Sequence, residues 1–175
     1  VDGPGGHEGQ AGEGQRQRQT APGVGARSEE VGGGHQIGAE RREVDFAPFE
    51  YVAFADQDDI WLPGKLKRAV DCLLERGADG YSSDIVAFWE SGRARYIKKS
   101  YPQQRWDYLF ESAGPGCTFV LTRLLATEIQ MVLKLNQKRT MDIGLHDWFT
   151  YAFARANGYR WVIDEYASLM YRQHG

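Results

Sequence analysis

The sequence predicts an α/β layer fold that begins near Phe46 and follows a segment of different character. Three observations carry this reading. From Phe46 onward, apolar runs of strand length alternate with stretches whose apolar residues recur at helical spacing. All 22 aromatic residues lie in that part, whereas residues 1–45 hold 12 of the 21 glycines and no aromatic residue. The stretch YVAFADQDDIWLPGKL, Tyr51 to Leu66, compresses the alternation into one unit: an apolar run, an acidic turn, then the start of a helix.

Residues 1–45 are rich in Gly, Gln, Glu and Arg, and their few apolar residues follow neither a helical nor a strand period. Ordering them would cost backbone entropy with almost nothing to bury, so a low-complexity, disordered or aberrant leader is expected. An Arg/Gly arm for nucleic acid is the alternative. Glu8, Glu13, Glu29, Glu30 and Glu40 dilute its positive charge, and no aromatics interleave for base stacking.

The elements of residues 46–175 follow in order. Tyr51 to Ala55 reads as a strand ended by carboxylates. Pro63 suits the first turn of a helix in which Leu66, Ala69, Val70, Leu73 and Leu74 share a face before Gly77 stops it. YSSDIVAFWE reads as one buried strand, QQRWDYLFES as a short helix, and CTFVLT as a strand after the break AGPGC. Arg123 to Lys138 reads as a helix with Leu125, Ile129, Val132 and Leu133 on one face. LHDWFTYAFARANG is a further helix closed by Asn157 and Gly158, and YRWVI and ASLMYRQ are the last strands.

A formal net charge of -3 gives no general attraction to nucleic acid or anionic lipid, so no nucleic-acid partner is expected. Cys72 and Cys117 form neither a disulfide framework nor a metal-knuckle spacing, which fits a reducing compartment. Neither a signal peptide nor a membrane-spanning apolar run is visible. The expectation is a cytoplasmic protein, with at most a peripheral contact to the inner face of a membrane.

The acidic turn at Asp56, Gln57, Asp58 and Asp59 lies at the carboxyl end of a strand, where open α/β sheets bind ligands. Hard carboxylate oxygens suit Mg²⁺ or Mn²⁺, and such ions commonly bridge substrate phosphates. A solvated surface turn is the plainer alternative. Gly114, Pro115, Gly116 and Cys117 form a turn whose small residues permit close backbone approach to a ligand, or a plain connection. Cys117 reads as a small packed hydrophobe, since no cysteine-activating constellation is evident.

FADQDDIWLPGKL, GPGCTFVLTR, HDWFTYAFARANG and YRQHG, in this order from about Phe46 to Gly175, resemble an inverting glycosyltransferase of family 2. Within that family they are most similar to bacterial rhamnosyltransferase-like and polysaccharide glycosyltransferases. The resemblance implies a GT-A, Rossmann-like fold and transfer of a sugar, with rhamnose a candidate, from a nucleotide-diphospho-sugar to a saccharide or lipid-linked acceptor in cell-surface polysaccharide synthesis. It also implies a divalent cation, Mg²⁺ or Mn²⁺. Carried over by position, Asp56, Gln57, Asp58 and Arg172 bind the donor, and Asp58 and His174 hold the metal, with a frayed chain end as the alternative for His174. Asp147 is the catalytic base, with a helix cap as the plainer alternative, and Gly114, Gly116, Cys117, His146 and Trp148 line the acceptor side, with simple packing as the alternative for His146. Asp59 is a helix cap or pocket residue, and Trp61 packs over the turn or stacks on sugar.

The chain departs from that pattern at its start. A family member of this kind opens with a strand, helix and strand that hold the base and ribose, and residues 1–45 cannot be read so. The expected fold is therefore N-terminally incomplete. The alternative to a working transferase is an inactive fragment or binding module lacking the nucleotide pocket. A metal-dependent phosphohydrolase on the same aspartates would leave HDW and GPGC unexplained.

Overall fold

The structure is a computed structural model that describes residues 44–136 and 143–174. The expectation of a disordered leader, and that of a helix running to Lys138, extend onto residues outside that set.

Two four-stranded mixed sheets form the frame. In the first, β1 (Tyr51–Ala53) pairs antiparallel with β6 (Val120–Thr122), which pairs antiparallel with β3 (Gly80–Ser83), which pairs parallel with β7 (Trp161–Asp164). In the second, β2 (Ile60–Trp61) pairs antiparallel with β8 (Leu169–Gln173), β8 parallel with β4 (Ile85–Trp89), and β4 antiparallel with β5 (Ala94–Ile97). The parallel pair β3/β7 thus continues into the parallel pair β4/β8 as the chain leaves one sheet for the other.

The first sheet is buried on both faces, and the two-residue side-chain period divides its strands between two layers. Tyr51, Ala53, Tyr81, Val120 and Val162 meet Ala69, Leu73 and Leu66 of α1 (Lys65–Arg76). Val52, Leu121, Trp161 and Ile163 face the other way, onto Leu125, Ile129 and Leu133 of α2 (Arg123–Leu135) and Tyr151 and Ala154 of α3 (His146–Ala156). Each fully buried apolar side chain contributes about 1.5–3 kcal/mol. Gly80 is small because the Trp161 indole lies over it, where an added Cβ would overlap the ring.

Helix ends follow their local chemistry. Gly77, at φ 55°, closes α1, and Ala78 N donates to Leu73 O at 2.9 Å, satisfying a carbonyl of the last turn. At the other end Gly64 takes φ 83° ahead of Lys65, so Pro63 precedes the helix instead of opening it. Thr122 caps α2 by accepting Leu125 N.

Three expected elements take a different form. YSSDIVAFWE is two strands in two sheets, broken at Asp84. That buried carboxylate accepts from the Tyr96 hydroxyl, the Lys99 and Ser100 amides and the Ser100 hydroxyl, while Asp84 N donates to Asp164 O at 2.9 Å. QQRWDYLFES contracts to one 3₁₀ turn, Asp107–Leu109, because the Asp107 carboxylate draws in Gln104 N, Tyr108 N and Arg155, a local alternative to the helix ladder. CTFVLT opens with a 3₁₀ turn, Gly116–Thr118, and only its last residues form β6. Strands β2 and β5, two and four residues long, carry no periodic signal and lie outside the elements the sequence predicts.

Candidate functional site

The acidic turn is built by what flanks it. Phe54 N donates to Phe119 O at 3.0 Å just past β1, and Asp59 N reaches Asp56 O at 3.5 Å to close the turn. The chain then enters β2, whose register, Ile60 opposite Met170 and Trp61 opposite Leu169, runs antiparallel. Continued backward, this register lays Asp59 and Asp58 beside the end of β8. Arg172 N donates to Asp59 Oδ1 at 3.0 Å, and Arg172 Nε donates to Asp58 O at 3.2 Å. His174 Nε2 lies 2.7 Å from Asp58 Oδ2. Both of these side chains reach solvent: Asp58 is 37% exposed and His174 76%.

A second group stands beside this pair and runs from exposed Asp56 through half-buried Asp59 to buried Cys117. One carboxylate oxygen each of Asp56 and Asp59 and the thiol of Cys117 lie within 4.8 Å of one another. Cys117 is wholly buried with Ile85 and Leu169, and burial, then the neighbouring Asp59, pushes its thiol far above the usual range. It is a neutral thiol, as its packing implies. Burial, then the charge of Asp59, raises the Asp56 carboxyl; burial likewise raises Asp59, opposed by the Cys117 thiol and the Arg172 amide. Lys65 stacks on Trp61, which packs against Cys117. The lysine is 2% exposed, its ammonium stands 3.9 Å from the centre of the Trp61 ring, and its Nζ has no hydrogen-bond partner among the described residues. Burial lowers it to about 8, opposed by the neighbouring Cys117 and Asp59.

The third component is the start of α3. Gly116 lies directly under it: a Cβ there would stand 2.5 Å from His146 Nε2 and 3.3 Å from Asp147 Cβ. His146 also packs 6.4 Å, centre to centre, from the Phe54 ring and lies within electrostatic reach of Asp56. Asp147 is half-buried in the first helical turn, its Oδ1 accepting Trp148 N at 2.7 Å, where the helix dipole favours negative charge. Since Cys117 follows Gly116, one 3₁₀ turn links the acidic turn to this helix end.

Most of the expected site residues therefore converge: Asp56, Asp58, Gly116, Cys117, His146, Asp147, Arg172 and His174 are joined by the contacts above. Gln57 is exposed on the turn. Gly114, at φ 135°, is packed toward Ser83 O and the Lys99 stem. Trp148 Nε1 donates to Tyr108 O at 2.8 Å and so ties α3 to the Asp107–Leu109 turn. Trp61 packs against Ile85, Cys117 and Leu169, and Asp59 serves the Arg172 backbone instead of capping α1. Sequence reasoning missed Lys65, although Lys65, Ala69 and Leu73 lie four apart on the buried stripe of α1. A lysine on an apolar stripe was the available signal.

No protein-family model matches the chain. The chain is 44% identical over 133 residues to the dTDP-rhamnosyl transferase RfbG of Shigella flexneri, a span covering 76% of this chain and 46% of that protein. It thus spans about half the length of the curated relative it matches. No helix among the described residues is long and apolar enough to cross a membrane.

Proposed function

We propose that the chain carries the metal-binding and acceptor-side chemistry of an inverting family 2 glycosyltransferase with a GT-A, Rossmann-like fold. The donor would be a nucleotide-diphospho-sugar, dTDP-rhamnose in the first instance given the relative's name, and the acceptor a saccharide or lipid-linked saccharide of cell-surface polysaccharide synthesis. The observation that carries the reading is the meeting of Asp58 and His174, 116 positions apart in sequence, at the end of the acidic turn.

The donor set fits a divalent ion. A carboxylate oxygen and an imidazole nitrogen 2.7 Å apart need open only slightly to share one ion at bonds of about 2.1 Å. The mixed oxygen and nitrogen pair favours Mn²⁺ over Mg²⁺, which prefers oxygen alone. Bound there, the ion supplies Lewis-acid stabilisation to the departing diphosphate. Among the described residues the Arg172 side chain donates only from Nε, to the Asp58 carbonyl, with its guanidinium over the Phe88 ring, and its terminal nitrogens are the groups to meet diphosphate oxygens. Asp147 takes the proton of the acceptor hydroxyl, Gly116 lets it and His146 approach the turn, and the rigid start of α3 fixes its aim.

Calorimetric titration of the chain with Mn²⁺, then with dTDP-rhamnose and uridine-diphosphate sugars, tests this directly. Asp58→Asn should weaken Mn²⁺ binding about tenfold or more. Binding as tight as that of the parent would place the ion elsewhere and return the acidic turn to an ordinary surface turn. Where transfer is measured, Asp147→Asn should abolish it with donor affinity nearly unchanged; loss of both together would make Asp147 a structural residue.

A second reading is that the chain binds without transferring. It is favoured by β1, which pairs with β6 alone among the described residues, so that those residues supply no strand beyond it to hold a base and ribose. Metal binding without measurable donor affinity would select it.

A further inference from the structure

We propose that residues 93–110 form a membrane-contacting face, which lies on the headgroups of an anionic lipid leaflet with Trp106, Leu109 and Phe110 in the interfacial layer. The face goes beyond the transferase reading and needs nothing from it.

Arg93, Arg95, Lys98, Lys99 and Arg105 fall within residues 91–106, a stretch with no acidic residue in a chain whose formal net charge is -3. Glu90 and Glu111 mark its two ends. Asp107 is turned inward, its side chain 10% exposed and paired with Arg155 at 3.1 Å. Tyr108 O accepts Trp148 Nε1 at 2.8 Å, so the inner side of the Asp107–Leu109 turn is fastened to α3. On the outer side Trp106, Leu109 and Phe110 are each at least half exposed. Leu109 N donates to Trp106 O at 3.1 Å, and residues three apart on a 3₁₀ turn lie over one another, which sets these two side chains together.

Charge and ring are paired along the face. The Arg105 guanidinium lies 4.8 Å from the centre of the Trp106 ring, and the Lys98 ammonium 5.4 Å from that of Tyr101. Long cationic stems beside exposed rings suit the boundary where lipid phosphates overlie acyl chains. A firmly held turn that keeps its apolar side chains in water marks an interaction surface. Two copies meeting there would set like charges against each other, and a nucleic-acid strand would leave Leu109 and Phe110 without apolar cover. An anionic leaflet answers both the charge and the apolar side chains. Since Trp148 follows Asp147, this contact would hold the start of α3 at the leaflet, facing a lipid-linked acceptor; that consequence alone rests on the transferase reading.

Co-sedimentation of the chain with vesicles, without Mn²⁺ or donor, tests the face apart from any transfer. The chain should bind phosphatidylcholine vesicles that contain phosphatidylglycerol and not those of phosphatidylcholine alone, and added salt should weaken the binding. Each cation near an anionic leaflet strengthens binding roughly fivefold, so Lys98→Ala with Arg105→Ala should weaken it more than about tenfold. Phe110→Ser should weaken it about tenfold, and Lys134→Ala on α2 should leave it unchanged. All four side chains are exposed, and circular dichroism checks that the variants keep the fold. Failure to bind the anionic vesicles overturns the proposal, as do equal binding to both kinds of vesicle and binding indifferent to Phe110→Ser or to the double substitution. Tighter binding to a single-stranded RNA oligonucleotide than to the anionic vesicles, or a dimer that Phe110→Ser abolishes, would assign the face to another partner and overturn it equally.

Discussion

Raising the pH should stabilise this fold through Lys65, and Lys65→Met should remove the effect. The side chain is ordinary in the unfolded chain, near 10.5, and falls to about 8 when folded because burial disfavours its charge. Between those two values the unfolded chain holds a proton that the folded chain has released, so stability rises with pH. The full difference amounts to ~3 kcal/mol, all of it opposing the fold at neutral pH. Integrated from pH 7 to about 9.5, the gain is ~2 kcal/mol, roughly thirtyfold in the folding equilibrium. Cys72 and Cys117, ordinarily near 9, and Tyr81, Tyr151 and Tyr159, ordinarily near 10, are pushed upward by burial and act with the opposite sign. Their share is removed by comparison with Lys65→Met, and the window stops short of the tyrosines. Urea unfolding of the parent and of Lys65→Met at intervals across the window gives the difference in free energy at each pH. The parent should gain on the variant by ~2 kcal/mol from one end to the other. Parallel curves would refute the reasoning, since they would mean that the buried ammonium is fully compensated and keeps its proton throughout.

Two further substitutions probe the frame around the site. Gly116→Ala drives a methyl into His146 and Asp147 and should cost about 1–3 kcal/mol in urea unfolding, while calorimetric Mn²⁺ affinity at the Asp58 side stays within twofold. For Asp84, burial alone would raise the carboxyl, but hydrogen bonds from Tyr96, Lys99 and Ser100 outweigh it and hold the group below its usual value of 3.8. A depressed folded value gives stability that is present above the unfolded value and lost as pH falls through the folded one. Asp84→Asn should therefore cost about 1–3 kcal/mol at neutral pH and flatten the acid limb of the stability curve.

The layer order of the fold was legible because burial writes it into residue type. Strands covered on both faces are short and continuously apolar, as around Val52 and Val120, and helices covered on one face repeat at three and four, as Leu125, Ile129 and Leu133 do. What failed were places where one polar side chain overrides the local pattern. Asp84 stands between Ser82-Ser83 and the apolar run Ile85–Trp89 with neither Gly nor Pro beside it, so no turn signal marks it as the point where the chain changes sheets. Its partners, Tyr96, Lys99 and Ser100, lie 12 to 16 residues away. Asp107 unmakes an expected helix in the same way, through Arg155 and Tyr151, 48 and 44 residues distant.

The site divides along the same line. Asp56, Asp58, Gly116 and Asp147 each stand at the end of an element, where turn chemistry makes a reader stop, and all were singled out. That they meet depends on β2, two residues long and without any periodicity of its own. Its pairing sets Ile60 against Met170 and Trp61 against Leu169, and this register alone decides that Asp59 finds the Arg172 amide and Asp58 finds His174. A slip by one residue would reverse every side chain on the strand, turning Trp61 out of its packing with Cys117 and Leu169. Burial of Trp61 is thus what holds the register, and Lys65 over its ring fastens the same point from the helix side. The acidic turn owes its geometry less to its own carboxylates than to an apolar tryptophan two residues beyond them and a lysine that a hydrophobic stripe would not be expected to contain.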